Sequence, residues 1–195
     1  MALRTFVKVS GVNNLSDARY CAGMGVDQLG FNIEVSHENY TDPQAFKEIS
    51  DWLSGVEFVG EIESESSVIE DEIKGYALQA IQVAHTSQIS HAVKTGLPVI
   101  FKCESFNEAN LVWQEAQAHL SYILVETEPD FDSSEKIEFP IVLQSTFSAS
   151  AIDNVLQAME PKGIALVGGN EIRPGYNDFD SLADTLEALE VDDLA

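Results

Sequence analysis

The sequence predicts one (β/α)8 domain, a TIM barrel over residues 1–195, and three observations carry that prediction. Apolar runs of strand length alternate with longer helical patterns from end to end. The repeat is roughly 24 residues and no linker interrupts it. The strand runs are mostly continuous rather than alternating, as expected of strands covered on both faces. A doubly wound open sheet of the same units is the competing arrangement, and it would place a site at a switch point instead of a barrel mouth.

The first strand is read at Phe6 to Ser10, and the helix behind it opens at Asn14 with Asp17 and closes at Gly25. A second strand at Gln28 to Ile33 precedes a helix opened by Asp42, with Pro43 at its first helical position. The third, Phe58 to Ile62, leads to a helix start at Ser67 with Glu70. The fourth strand is Ala80 to Val83, and Gly96 ends the helix before the fifth strand, Pro98 to Cys103. Ser105 with Glu108 opens the next helix, followed by a sixth strand at Tyr122 to Glu126. The seventh is Pro140 to Leu143, the eighth Gly163 to Val167, and Asp178 before Phe179 opens the last helix. At each helix start a side-chain oxygen accepts from an otherwise unpaired first-turn amide, and a carboxylate nearby suits the dipole. Glycine at the helix ends admits a left-handed residue without steric cost. The segment TEPDFDSSEKIEF after the sixth strand is too short, polar and acidic for a packed helix, so the helix there is expected to be reduced or missing.

Composition narrows the partners. With 33 acidic against 10 basic side chains, the net charge of -23 argues against nucleic acid and anionic membrane, because counterion release needs clustered Lys and Arg. No apolar run approaches the ~20 residues that span a bilayer. The opening MALRTFVKVSGV carries Arg4 and Lys8 where a secretory segment would be apolar, so a cytoplasmic protein is expected. In that compartment Cys21 and Cys103 read as buried free thiols rather than a disulfide.

In a barrel the chemistry gathers at the carboxyl ends of the strands, which draws attention to Ser10, Asn32, Glu34, Glu61, Glu63, His85, Lys102, Glu126, Gln144, Gly168 and Gly169. VGGN at 167–170, followed by EIRPG, offers backbone amides to an anion with Arg173 close by. A tight turn that needs positive φ explains the same glycines equally well. GMG at 23–25 follows a helix and precedes a strand, the reverse of a dinucleotide motif, and marks a helix end. Glu126 suits a general acid or base; with Glu61 and Glu63 near it, like-charge repulsion would raise one carboxyl. A solvated rim carboxylate is the competing reading. His37, His85, His91 and His119 are scattered without metal-ligand spacing, so no metal is expected.

Over nearly the whole chain the order of these motifs resembles the phosphoribosylanthranilate isomerases of tryptophan biosynthesis. VKVSGVNNLSDARYCAGMGVDQLGF is similar to that family's opening strand, first helix and second strand. GIALVGGNEIRPGYNDFDSL is similar to its eighth strand, phosphate-binding turn and last helix, and IQVAH lies where a family strand ends in Gln-Leu-His-Gly. The resemblance implies a cofactor-free barrel that catalyses an Amadori rearrangement of a phosphoribosylated arylamine, an intramolecular redox isomerisation of an aldose to a ketose. An acid protonates the ring oxygen, the ring opens to a Schiff base, and a base removes the C2′ proton.

The chain departs from the family at the chemistry. Lys-Ile-Cys-Gly reads Lys8-Val9-Ser10-Gly11, so the resemblance places Ser10 at the position of the cysteine base. A hydroxyl is a far poorer base than a thiol with a reference pKa of about 8.5. Glu126 stands at the position of the aspartate acid. The basic loop after the second strand reads EVSHENY, with Asn39 for the arginine beside Tyr40 and with Glu34 and Glu38 adding charge that repels an anionic substrate. The Gly-Gly after the seventh strand reads Ser145-Thr146. Gly168, Gly169, Glu171, Pro174, Gly175 and Asp178 fit the family pattern at the eighth strand, where the resemblance implies a retained half of the phosphate cradle with Asn170 and Arg173 beside it. The expected function is isomerase-like, with the base and the loop arginine replaced. The alternatives are a binding or regulatory protein derived from the isomerase that holds a small phosphorylated metabolite, and a different lyase or isomerase built on Glu61, Glu63 and Glu126.

Overall fold

Short apolar runs form strands β1 (Phe6–Ser10), β2 (Gln28–Asn32), β3 (Glu57–Ile62), β4 (Ala80–Val83), β5 (Val99–Cys103), β6 (Leu120–Glu126), β7 (Ile141–Gln144) and β8 (Gly163–Val167). In the computed structural model each pairs in parallel with the next and β8 pairs with β1, which closes the barrel and excludes the open sheet. The structure describes residues 2–65, 68–128, 137–147, 149–168, 171–173, 176–177 and 180–191.

Helices α1 (Leu15–Gly23), α2 (Pro43–Ser50), α4 (Thr86–Lys94), α5 (Phe106–Ala116), α6 (Ala149–Met159) and α7 (Asp180–Ala188) occupy the crossovers, with α3 (Ile69–Glu72) reduced to one turn. The expected caps form where they are described: Asn14 accepts from the Asp17 amide, Asp42 from Gln44 and Ala45, and Ser105 from Glu108. Gly25 and Gly96 have φ of 84° and 77°. Helix α3 departs from expectation. Its N-cap is Val68, which makes no side-chain cap, while Ser67 lies outside the described residues, as do Asp178 and Phe179 before α7. Between β6 and β7 no helix is present among the described residues, and 129–136 fall outside them. A two-stranded antiparallel hairpin, β9 (Glu171–Arg173) with β10 (Tyr176–Asn177), follows β8 where the sequence reading had only a turn.

Two apolar cores result. The outer one lies between strands and helices, where Phe31, Phe46, Phe58 and Tyr76 meet edge to face and seat α2 on β2 and β3. The inner one fills the barrel with Val59, Ala80, Ile100, Tyr122, Leu124, Val142 and Ala165. Each large aliphatic buried in these layers contributes roughly 1.5–3 kcal/mol relative to exposure. Cys21 and Cys103 are both buried free thiols, and burial pushes each up to about 12, so neither is reactive.

Closure depends on Gly163, whose position opposite Phe6 leaves no space for a side chain. A Cβ there would overlap the Phe6 carbonyl oxygen. Gly163→Ala should therefore destabilise the fold by about 1–3 kcal/mol, as overpacking does. A urea-unfolding midpoint unchanged from wild type would show that the β1–β8 seam tolerates a methyl group.

Candidate active site

Side chains alternate along a strand, so residues two positions beyond the inner apolar layer face the barrel interior near its carboxyl end. That rule carries Glu61, Gln82, Lys102, Glu126 and Gln144 to the strand-end mouth, beyond Val59, Ala80, Ile100, Leu124 and Val142. On β1 the same face carries Lys8 and then Ser10.

Lys8 is fully buried and its ammonium is ion-paired with Glu61, which is itself buried at 4% exposure. Glu61 also accepts the Gly11 amide at 3.0 Å. Lys8 donates in addition to Ser10 Oγ at 2.6 Å, and Ser10 Oγ donates to Gln144 Oε1 at 3.1 Å. The pair spans β2, and Gly30 makes the crossing possible because a Cβ there would overlap Glu61 Oε1 and crowd Lys8 Nζ. Burial drives the Lys8 pKa below its ordinary value, with the charge and hydrogen bond of Glu61 opposing it. For Glu61 burial works toward a higher value, but the Lys8 charge and hydrogen bond and the Gly11 amide outweigh it and hold the carboxyl below its ordinary range. The sequence reading expected repulsion among Glu61, Glu63 and Glu126 to raise one carboxyl. Glu61 moves in the opposite direction, because its neighbour is an ammonium.

A second ion cluster lies closer to solvent. Lys102 Nζ is 2.8 Å from Glu63 Oε1 and 3.1 Å from Glu126 Oε2. Burial works against this ammonium, yet the hydrogen bond and charge of Glu63, joined by the charge of Glu126, keep its pKa above the ordinary lysine value. Glu34, counted with Glu38 from the sequence as negative charge in the loop after β2, is placed in the interior. It is fully buried, and its carboxyl oxygens accept the Glu63 amide at 2.6 Å and the Ser64 amide at 3.0 Å, which anchors the chain leaving β3.

Ser10 and Glu126 thus end parallel strands at one mouth, and Gln144, the partner of Ser10, stands opposite Glu126 in the β6–β7 register. Ser145 and Thr146 line a cavity of about 470 Å³ at this end together with Glu104, Glu126, Glu128 and Gln144. The Gly168 amide is donated to the Ser10 carbonyl at 2.7 Å, so it is turned to β1. Gly169 and Asn170 lie outside the described residues, and for Glu171 and Arg173 only the backbone of β9 is described. His85 serves as the N-cap residue of α4 without a side-chain cap. Among the described residues no group of three or more His, Cys, Asp or Glu is arranged to hold a metal ion, and no helix is long and apolar enough to cross a membrane. Sequence reasoning named Lys8 only as part of a motif. Its signal was a lysine on the same face as Ser10 within an otherwise apolar strand.

Fold and mouth together define a small (β/α)8 barrel with a polar strand-end site. Solved structures that it matches include phosphoribosylanthranilate isomerases. The one in complex with reduced 1-(o-carboxyphenylamino)-1-deoxyribulose 5-phosphate is 23% identical, with 95% of this chain and 98% of that chain covered at a TM-score of 0.74. The isomerase of Thermotoga maritima is 22% identical and that of Thermus thermophilus 20%, each with the same coverage and a TM-score of 0.74. No protein-family model and no curated protein sequence matches the chain. At these identities the likeness establishes a shared fold.

Removing one member of a buried ion pair strands the other charge. Glu61→Gln should cost about 3–5 kcal/mol at neutral pH. The stability that Glu61 contributes is complete above the unfolded carboxylate value of about 4.3 and is lost as pH falls through its lower folded value. Wild-type urea midpoints should therefore fall in acid with a component missing from Glu61→Gln, and parallel pH profiles for the two proteins would contradict the assignment.

Proposed function

We propose that the chain is an isomerase-derived barrel that binds a small metabolite at its strand-end mouth and performs the Amadori rearrangement poorly or not at all. The observation that carries this reading is the environment of Ser10. Its hydroxyl accepts from the Lys8 ammonium and donates to Gln144, so both of its hydrogen-bonding roles are filled by the protein. An ammonium has no lone pair to take the hydroxyl proton, and Glu61, the carboxylate that also meets Ser10, is a weak base because, against burial, the Lys8 charge and hydrogen bond hold its pKa below the ordinary range.

The acid half of the chemistry is better supported than the base half. Glu126 and the Lys102 ammonium stand together at the mouth, where either can direct a proton toward a ring oxygen. Removal of the C2′ proton would fall to Ser10, whose hydroxyl is a far poorer base than a thiol. The loop after β2 compounds the loss, since Asn39 offers no charge to an anionic substrate. The Gly168 amide is committed to Ser10, so a phosphate at that turn would be met by other donors. The composition and the lack of a membrane-spanning helix among the described residues fit a cytoplasmic protein of metabolism.

The test is turnover of phosphoribosylanthranilate by the purified protein. The wild type should fall short of Ser10→Cys by roughly 10²–10⁴-fold, the usual contribution of a positioned base, because a thiol beside Lys8 ionises far more readily than a hydroxyl. Combining Ser10→Cys with Asn39→Arg should recover more than either change alone. Efficient turnover by the unmodified protein, or no gain from Ser10→Cys, would refute the reading.

A further inference from the structure

The chain that leaves β3 is held by a side chain rather than by the sheet. The β3–β4 pairing ends with Ile62 opposite Val83, so Glu63 and Ser64 lie past the last paired position. Glu34, just beyond β2, reaches across to them. It is fully buried, and its Oε2 accepts the Glu63 amide at 2.6 Å while its Oε1 accepts the Ser64 amide at 3.0 Å. A carboxylate binds such amides about twice as strongly as a neutral oxygen does.

The backbone of Glu34 is fixed in turn. Its amide donates to Oδ1 of the buried Asn32 at 3.1 Å, and its carbonyl accepts the His37 amide at 3.0 Å. A further tether runs from Gln88 Nε2 to the Ser64 carbonyl at 2.8 Å, which leaves the placement of Glu63 to Glu34.

Glu63 carries the cluster at the mouth. Its Oε1 is 2.8 Å from Lys102 Nζ, which is 3.1 Å from Glu126 Oε2. A lysine head is a point charge on a flexible stem, so it settles where its counter-charges are fixed. Glu126 is partly exposed at the end of β6, and a fixed Glu63 is what draws the ammonium inward and Glu126 with it.

Resting on the acid assignment proposed above, we infer that Glu34 is a positioning residue for that acid. It sets the backbone at Glu63, Glu63 orients the Lys102 ammonium, and Lys102 holds the Glu126 carboxyl at the cavity. The loop after β2, with Asn39 and Tyr40, joins the same residue through the His37 amide, so loop and cluster share one anchor.

Glu34→Gln tests this, because it keeps the shape but removes the charge and turns an amide donor toward a backbone donor. NMR of lysine ammonium groups in the full chain reads the outcome. The Lys102 ammonium should exchange with solvent at least about tenfold faster in the variant, as expected for the loss of a charge-assisted bond, while the Lys8 ammonium keeps its wild-type exchange and reports an intact barrel. In the Ser10→Cys background, Glu34→Gln should lower kcat for phosphoribosylanthranilate by roughly tenfold or more and leave KM within about twofold, since the acid is displaced and the binding groups are not. Unchanged Lys102 exchange in folded Glu34→Gln would overturn the inference. Should that variant not fold, Glu34→Asp, which keeps the charge and shortens the reach, is read in the same way. Free exchange of the Glu63 or Ser64 amide in the wild type would also overturn it. Absence of turnover in the Ser10→Cys background counts against the isomerase-derived reading alone, because the ammonium measurement decides the role of Glu34 without it.

Discussion

A lysine and a glutamate inside an apolar barrel are tolerable only together. The effective cost of burying either charge alone is several kcal/mol, and the ion pair between Lys8 and Glu61 offsets it only because further hydrogen bonds satisfy the remaining donors and acceptors. That requirement shapes the top of the barrel. Gly30 must lack a side chain so that β1 and β3 can reach across β2, and the Gly11 amide must turn inward to the carboxylate. Ser10 accepts a further hydrogen bond from Lys8 and donates one to Gln144, which ties β1 to β7 across the interior. The pair is thus both the polar centre of the barrel and the element that fixes the residues at its mouth.

The same arrangement accounts for the chemistry that the site supports. A hydroxyl that accepts from Lys8 and donates to Gln144 is well positioned, yet it remains a far poorer base than a thiol. Glu126 belongs to the more exposed cluster with Lys102 and Glu63 and keeps access to the cavity. The mouth therefore presents a tightly hydrogen-bonded polar chain at Ser10 and a more exposed cluster of Lys102, Glu63 and Glu126.

Much of this fold was legible in the sequence because local signals set it. Strands β1, β4 and β8 begin and end where the apolar runs do, and the Asn14, Asp42 and Ser105 caps followed from side-chain chemistry at single positions. The features that escaped depend on distant neighbours. The partner of Lys8 is 53 residues away and is set by strand register, so adjacency in sequence suggested repulsion among carboxylates where the fold supplies attraction. Glu34 read as surface charge because its amide partners come from the following crossover, and the single turn of α3 and the β9–β10 hairpin carry too few residues for a periodic pattern. Ser10 and Glu126 were found through their places at strand ends, whereas their ionic surroundings needed three dimensions.

The most direct test of the account is the protonation state of the central pair, read by NMR from the side-chain ammonium nitrogen of Lys8 and the carboxyl carbon of Glu61 across pH. The account predicts a protected Lys8 ammonium at neutral pH, coupled to a Glu61 carboxylate that titrates below the ordinary carboxylate range. A neutral Lys8 amine beside a protonated Glu61 at pH 7 would contradict it, because that amine would then be free to serve as the base that Ser10 lacks.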